Sequence, residues 1–200
     1  ELRCLAHYMQ DEDWTRELLE GDVHTKNQNA AGLETRAQAK TFIYATLYGA
    51  GPAKIGSIVG GGAREGSKLL EAFYRNTPRL AELMQKVQKI AEKGYVPGLD
   101  GRRLQVRSAH SALNTLLQGC GAIIAKQWCI EAHKRFRAAQ ISVQQVAFVH
   151  DEIQIETEKK YAEQVASIMV DSAASAGTIL GFRCPVDAES KIGLNWYDTH

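Results

Sequence analysis

Two hundred residues, 44% hydrophobic and 24% charged with a formal net charge of +1, fit one large globular domain or two interleaved subdomains. No run approaches the ~18 apolar residues of a membrane-spanning helix, and the N-terminus lacks a basic-then-apolar leader pattern. Cys4, Cys120, Cys129 and Cys184 form no Cys-x-x-Cys pair, which argues against a zinc or disulfide scaffold and for reduced thiols in a cytoplasm.

The chain has no initiator Met and starts inside a helical pattern, so it is expected to be a fragment, a processed product or one piece of a split protein. Residues 1–20 read as a helix with Leu2, Leu5, Met9 and Leu18–Leu19 on its buried side. A second helix is expected to start near Asp22, whose carboxylate suits a helix start. Thr35 followed by Gln38 makes a capping box, and the helix behind it runs through Lys40 and Tyr44 to Tyr48. Gly49-Ala50-Gly51-Pro52 ends it. Short helices follow at 52–59 and 64–75, then a longer amphipathic one at 78–93. Residues 94–108 carry turn signals and a hairpin-like alternation. A long helix from 109 to 139 precedes Gln145–Glu156, which reads as two strands buried by apolar flanks around a tight turn. A helix at 158–177 and a strand at 182–188 close the pattern. Helices followed by a few antiparallel strands indicate an α+β class.

Charge is segregated along the chain. Arg36 to Arg107 carries thirteen Lys/Arg against five Asp/Glu, whereas the chain from Asp151 onward carries four against nine. A basic middle suits a phosphate-rich partner, and an acidic tail section suits metal chemistry or plain solubility.

Five constellations carry chemistry. On the capped helix Arg36, Lys40, Tyr44 and Tyr48 recur every fourth residue and form one stripe. Cations of that kind can grip a triphosphate while the rings stack a base or sugar; the competing reading is a solvated basic edge beside an aromatic seam. In Phe148-Val149-His150-Asp151-Glu152-Ile153 two carboxylates sit at a tight turn, where one can reach Mg²⁺ without being entombed; the competing reading is a turn open to water. Glu1-Leu2-Arg3 and Gly21-Asp22-Val23-His24 are each weak alone. Asn114 and Gln118, one turn apart beside His110, present amides that could donate to minor-groove acceptors or bond neighbouring backbone.

Taken in order, these segments resemble family A DNA polymerases, which carry an Asp-x-Ser-x-x-Glu-Leu-Arg motif, an Arg-x3-Lys-x3-Phe/Tyr stripe ending in Tyr-Gly, and a His-Asp-Glu turn. The matching residues are Glu1-Leu2-Arg3, Arg36 to Gly49 and Val149-His150-Asp151-Glu152. Leu99-Asp100-Gly101-Arg102-Arg103 and Asn114-x3-Gln118-Gly119 lie between and add to the likeness. Gly21 to Asn27 and Lys40 to Tyr44 resemble the replicative polymerases of short-tailed bacteriophages, which places the protein in a host cell cytoplasm if it is phage-encoded.

The resemblance implies the palm and helical fingers of a right hand: 1–22 palm, 23–108 fingers and 109–200 palm, with the thumb absent. It implies template-directed synthesis from primer–template DNA and dNTPs with two Mg²⁺ ions. Asp151 would bind metal with Glu152 supporting it. Arg36, Lys40 and His24 would grip the triphosphate, Lys40 also aiding the leaving group. Tyr44 would stack near the sugar and pair with Glu1 against a 2′-hydroxyl, and its hydroxyl implies tolerance of dideoxynucleotides. Tyr48 would lie beside the templating base, His150 near the primer terminus, and Asn114 with Gln118 on the minor groove. His110 stands where bacterial relatives commonly have Arg, a mark of the phage-type branch. The second metal Asp, the thumb and any nuclease would lie upstream of residue 1, so the chain would need a partner segment, and a processivity factor is possible on that segment. A single-subunit RNA polymerase relative shares the Lys stripe, but Glu1-Leu2-Arg3 and Glu152 argue against it. A non-catalytic DNA-binding remnant is the alternative from another class.

Overall fold

The computed structural model describes residues 1–199, so the last residue of the expected 109–200 segment lies outside the described residues. They divide into two compact units, Glu1–Gln118 and the chain from Gly119 onward.

The first unit is helical. Where one helix over 1–20 is expected, two form: α1 (Leu2–Met9) and α2 (Glu12–Glu20). Asp11 explains the break. Its side chain accepts from Trp14 N at 2.9 Å, and a short carboxylate competes for backbone donors better at a helix start than inside one. Gln10 closes α1 in the left-handed region at φ 51°. Leu5, Met9 and Trp14 are accordingly among the buried residues, while Leu19 is exposed.

Asp22 starts α3 (Val23–Ala31), and Thr35 starts α4 (Arg36–Leu47) with the expected capping box, Thr35 Oγ1 and Gln38 Oε1 each accepting from the other's backbone N–H. Ala39, Phe42, Ile43 and Leu47 form the inward side of α4 and are essentially inaccessible. Phe42 meets Phe73 edge to face at 5.0 Å, the geometry the ring quadrupole favours. Phe73 lies on α6 (Ala63–Asn76), which packs against α5 (Pro52–Ser57). That crossing needs glycine. A Cβ on Gly66 would stand 1.8 Å from the Pro52 carbonyl oxygen. The unit continues with α7 (Pro78–Ala91) and a small antiparallel hairpin, β1 (Tyr95–Pro97) with β2 (Arg103–Gln105). A 3₁₀ turn over Ala109–Ser111 then leads into α8 (Ala112–Ala138).

The second unit sets the end of α8 against β3 (Val143–Val149), β4 (Glu152–Thr157) and α9 (Ala162–Ile179). Its core joins Ala132, Phe136, Ile141, Val165 and Met169, with Trp128, Val143, Ile153 and Ile155 packed on it. Trp128 Nε1 donates to the Met169 carbonyl at 2.7 Å, tying α8 to α9. β3 and β4 pair antiparallel with a bulge between Gln145 and Ala147. The apolar flanks do not bury the whole hairpin: Val146, Phe148 and Val149 are each about half exposed, whereas the residues packed on the core are Val143 of β3 and Ile153 and Ile155 of β4. The short α10 (Trp196–Thr199) follows.

The expected strand at 182–188 is not one. Neither two-stranded sheet extends to it, and Pro185 has no N–H to give to a ladder. The segment lies against α9 instead, where a Cβ on Gly177 would come within 2.7 Å of Val186. No helix among the described residues is long and apolar enough to cross a membrane.

Candidate active site

In the first unit the capped start of α4 faces the capped start of α3. Asp22 accepts from the backbone N–H groups of His24 and Thr25 at 3.1 and 3.4 Å and from Thr25 Oγ1 at 2.8 Å. The same carboxylate receives Arg36 in a two-pronged pair, Nε at 2.6 Å and Nη2 at 3.1 Å. Hydrogen bonds from Arg36 and then Thr25 hold the Asp22 carboxyl far below the usual carboxylate range, since both favour its charged form.

His24 projects from the first turn of α3, its ring centroid 6.4 Å from that of Tyr44. Burial depresses its pKa, and the nearby Arg36 and Lys40 cations add to that against the opposing pull of Asp22. His24 is therefore a neutral imidazole near pH 7. Its Nδ1 is buried and without a hydrogen-bond partner among the described residues. Lys40 lies one turn from both Arg36 and Tyr44, exposed, and no ion pair among the described residues ties down its ammonium.

The stripe continues to Tyr44 and Tyr48, whose ring centroids are 6.4 Å apart. Here the arrangement differs from the expected pairing of Tyr44 with Glu1. The hydroxyl that reaches Glu1 belongs to Tyr48, donating at 2.8 and 2.9 Å from its two carboxylate oxygens. Gln118 Nε2 donates to the same carboxylate. The Glu1 hydrogen bond is the chief cause that raises the Tyr48 pKa. Tyr44 stays close enough that Glu1's charge, after burial, raises its own.

Behind Tyr48, Gly49 takes φ 75°, and a Cβ there would stand 2.4 Å from the His110 carbonyl oxygen. The α4 exit and the turn carrying His110 are thus in direct backbone contact. Asn114, in the first turn of α8, is half buried with an unsatisfied Oδ1 among the described residues.

The structure of the first unit therefore gathers Asp22, His24, Arg36 and Tyr44 at one end of the stripe and Tyr48, Glu1 and Gln118 at the other. Asp22 was legible only as a helix cap. Its role as the partner of Arg36, fourteen residues on, had no local signal.

In the second unit, His150 and Asp151 form a two-residue turn between β3 and β4, with Val149 opposite Glu152. His150 adopts φ 53°, a left-handed conformation that costs a non-glycine residue about 1–2 kcal/mol, and such cost is kept where a turn must present particular side chains. His150 and Asp151 are exposed, and Glu152 is partly buried, with Gln154 Nε2 donating to its Oε1 at 2.6 Å. Among the described residues no three His, Cys, Asp or Glu side chains gather as a metal cluster. What the turn offers is one exposed, hard carboxylate beside a second, a donor set that suits Mg²⁺ completed by substrate phosphates.

Residues 1–198 match the family described as DNA polymerase family A. The chain is 41% identical to the DNA-directed DNA polymerase of Escherichia phage T7, over all of this chain and 32% of that protein. It is 32% identical to DNA polymerase I of Aquifex aeolicus, over 98% of this chain and 37% of that one. The chain thus spans about a third of the length of the curated relatives it matches. Among solved structures, the POL domain of Pol1 from M. smegmatis, in complex with DNA primer-template and dNTP, shares the fold with a TM-score of 0.78 at 20% identity, covering 88% of this chain and 35% of that one.

Proposed function

Because the chain belongs to DNA polymerase family A, we propose that it forms the fingers and most of the palm of an enzyme that adds deoxynucleotides to a primer 3′-OH under template direction. The observation that carries this reading is the single surface on which Arg36, Lys40 and His24 adjoin Tyr44, Tyr48, Glu1 and Gln118. It offers cations for a triphosphate, a ring for a sugar and a fixed carboxylate beside both, the parts a deoxynucleotide site needs.

In this reading residues 1–22 and 109 onward belong to the palm and 23–108 to the fingers. Arg36 and Lys40 hold the triphosphate, with Lys40 next to the departing pyrophosphate. Neutral His24 donates one hydrogen bond to a phosphate oxygen without adding charge. Tyr44 stacks on the sugar, and Glu1, held by Tyr48 and Gln118, occupies the space a 2′-hydroxyl would need. That same crowding argues against a ribonucleotide polymerase. Tyr48 flanks the templating base, while His110, Asn114 and Gln118 contact primer–template in a way that ignores sequence. Motion of α4 over the nucleotide would gate the reaction.

His150 would lie near the primer terminus, and Asp151 would hold Mg²⁺ with Glu152 supporting it. When bound there, the ion would supply stabilisation of charge on the attacking 3′-oxygen and on the leaving pyrophosphate. The other aspartate and a DNA-gripping thumb are proposed to come from an upstream segment, the partner that would also carry any processivity-factor site. The cytoplasm of the host cell is the proposed compartment.

Primer extension tests the reading. This chain is assayed with Mg²⁺ and dNTPs alone, then with the upstream segment, with Asp151→Asn as control. Extension only in the mixture, abolished by the substitution, is expected. A folded mixture that binds DNA yet extends no primer would favour the non-catalytic remnant.

A further inference from the structure

We propose that Asp22 is a resident competitor for the Arg36 guanidinium, occupying its two-pronged face until a phosphate of the nucleotide displaces it and retaking it when pyrophosphate leaves. The inference rests on the nucleotide site proposed above and adds a residue to it.

Three observations carry it. The first is geometry: both prongs of Arg36 end on Asp22, at 2.6 and 3.1 Å. The Nε–Nη2 face of the guanidinium matches one carboxylate or one phosphate, and a single pair of oxygens fills that face. A phosphate that uses the same face must therefore take it from Asp22. The second is exposure. The side chains of Arg36 and Asp22 are 57% and 40% accessible, so both water and a ligand reach the pair, and an exposed ion pair is weak enough to be exchanged. The third is that Asp22 does not depend on Arg36 for its place. It is anchored by the His24 and Thr25 backbone N–H groups and the Thr25 hydroxyl, so it stays on the α3 cap when Arg36 leaves. The displaced carboxylate remains within reach, and the exchange is reversible.

The exchange differs from simple repulsion of anions. A competitor for one guanidinium acts only while that guanidinium is present, whereas a bystander charge repels phosphate with or without it.

The test uses the full chain and inorganic tripolyphosphate, titrated by calorimetry at neutral pH, in the parent, Asp22→Asn, Arg36→Gln, the double variant and Lys40→Ala. Asn removes the charge and still caps a helix; Asp22→Ser, which also caps, repeats the measurement should the Asn variant fail to fold. Tripolyphosphate binding that weakens in Lys40→Ala, tightens about two- to ten-fold in Asp22→Asn, and shows no Asp22 effect in the Arg36→Gln background is the expected result. Lys40-dependent binding with no tightening in Asp22→Asn would overturn the competitor and leave the nucleotide site standing. Tightening that persists without Arg36 would also overturn it, identifying a bystander charge. Binding that ignores Lys40 in every variant would remove the nucleotide site and this inference together.

Discussion

The phenol of Tyr48 donates to the carboxylate of Glu1 across 47 residues of chain, 2.8 and 2.9 Å from its two oxygens. It fixes the last residue of the α4 stripe to the residue that precedes α1, and Gln118 binds the same carboxylate from α8. Three segments far apart in sequence thus share one charge.

That sharing has a spectroscopic consequence. Glu1 raises the Tyr48 pKa chiefly through the hydrogen bond, and raises that of Tyr44 less directly, by charge after burial. Glu1→Gln is therefore expected to bring tyrosine ionisation to lower pH, with Tyr48 moving further than Tyr44. Ultraviolet titration of the parent, Glu1→Gln and Tyr48→Phe chains reads this. An alkaline titration indifferent to Glu1 would contradict the observed pairing.

His24 is expected to titrate below the ordinary histidine value of 6.5, because burial, Arg36 and Lys40 all disfavour its cation. Between the folded and unfolded values the unfolded chain binds more protons, so this group's contribution to stability falls as pH drops below about 6.5. Arg36→Gln removes one cause and frees Asp22 to act more strongly, and both raise the His24 pKa. Imidazole chemical shifts followed against pH in the two chains give the sign directly.

Gly66 sits inside α6, where replacement by Ala would ordinarily favour the helix by about 1 kcal/mol. The opposite is expected here. A methyl group would meet the Pro52 carbonyl oxygen at 1.8 Å and the Gly56 backbone nitrogen at 2.7 Å, and forcing the helices apart costs about 1–3 kcal/mol. A lower melting temperature for Gly66→Ala, with helical content retained in the rest of the chain, is the outcome to look for.

Lys40 has no ion-pair partner among the described residues, so its loss breaks nothing in the fold. With the proposed upstream segment added, Lys40→Ala is expected to cut nucleotide incorporation on the order of 100-fold while DNA affinity changes little. Equal losses in both would remove Lys40 from its proposed place at the triphosphate.

Local signals carried much of this protein. The Thr35–Gln38 capping box, Asp22 as a helix start and the Gly49–Pro52 stop are each decided by a few neighbouring backbone groups, and all stand in the structure. A tight turn also stands at His150-Asp151, although Glu152, expected in the turn with Asp151, is the first residue of β4. The stripe from Arg36 to Tyr48 follows from helical spacing once that helix is granted, and the ordered motifs identify the family without coordinates. Asp11, by contrast, is also a cap residue, but the apolar spacing across 1–20 masked it, and the helix broke there. Tertiary structure alone decided who bonds to whom over distance: Tyr48 rather than Tyr44 on Glu1, Asp22 on Arg36, and 182–188 against α9 rather than in a sheet. The physical reason is range. Caps and turns are settled within about four residues, as helix ends are, whereas a side-chain partner tens of residues away is selected by which helices pack together and how their surfaces meet.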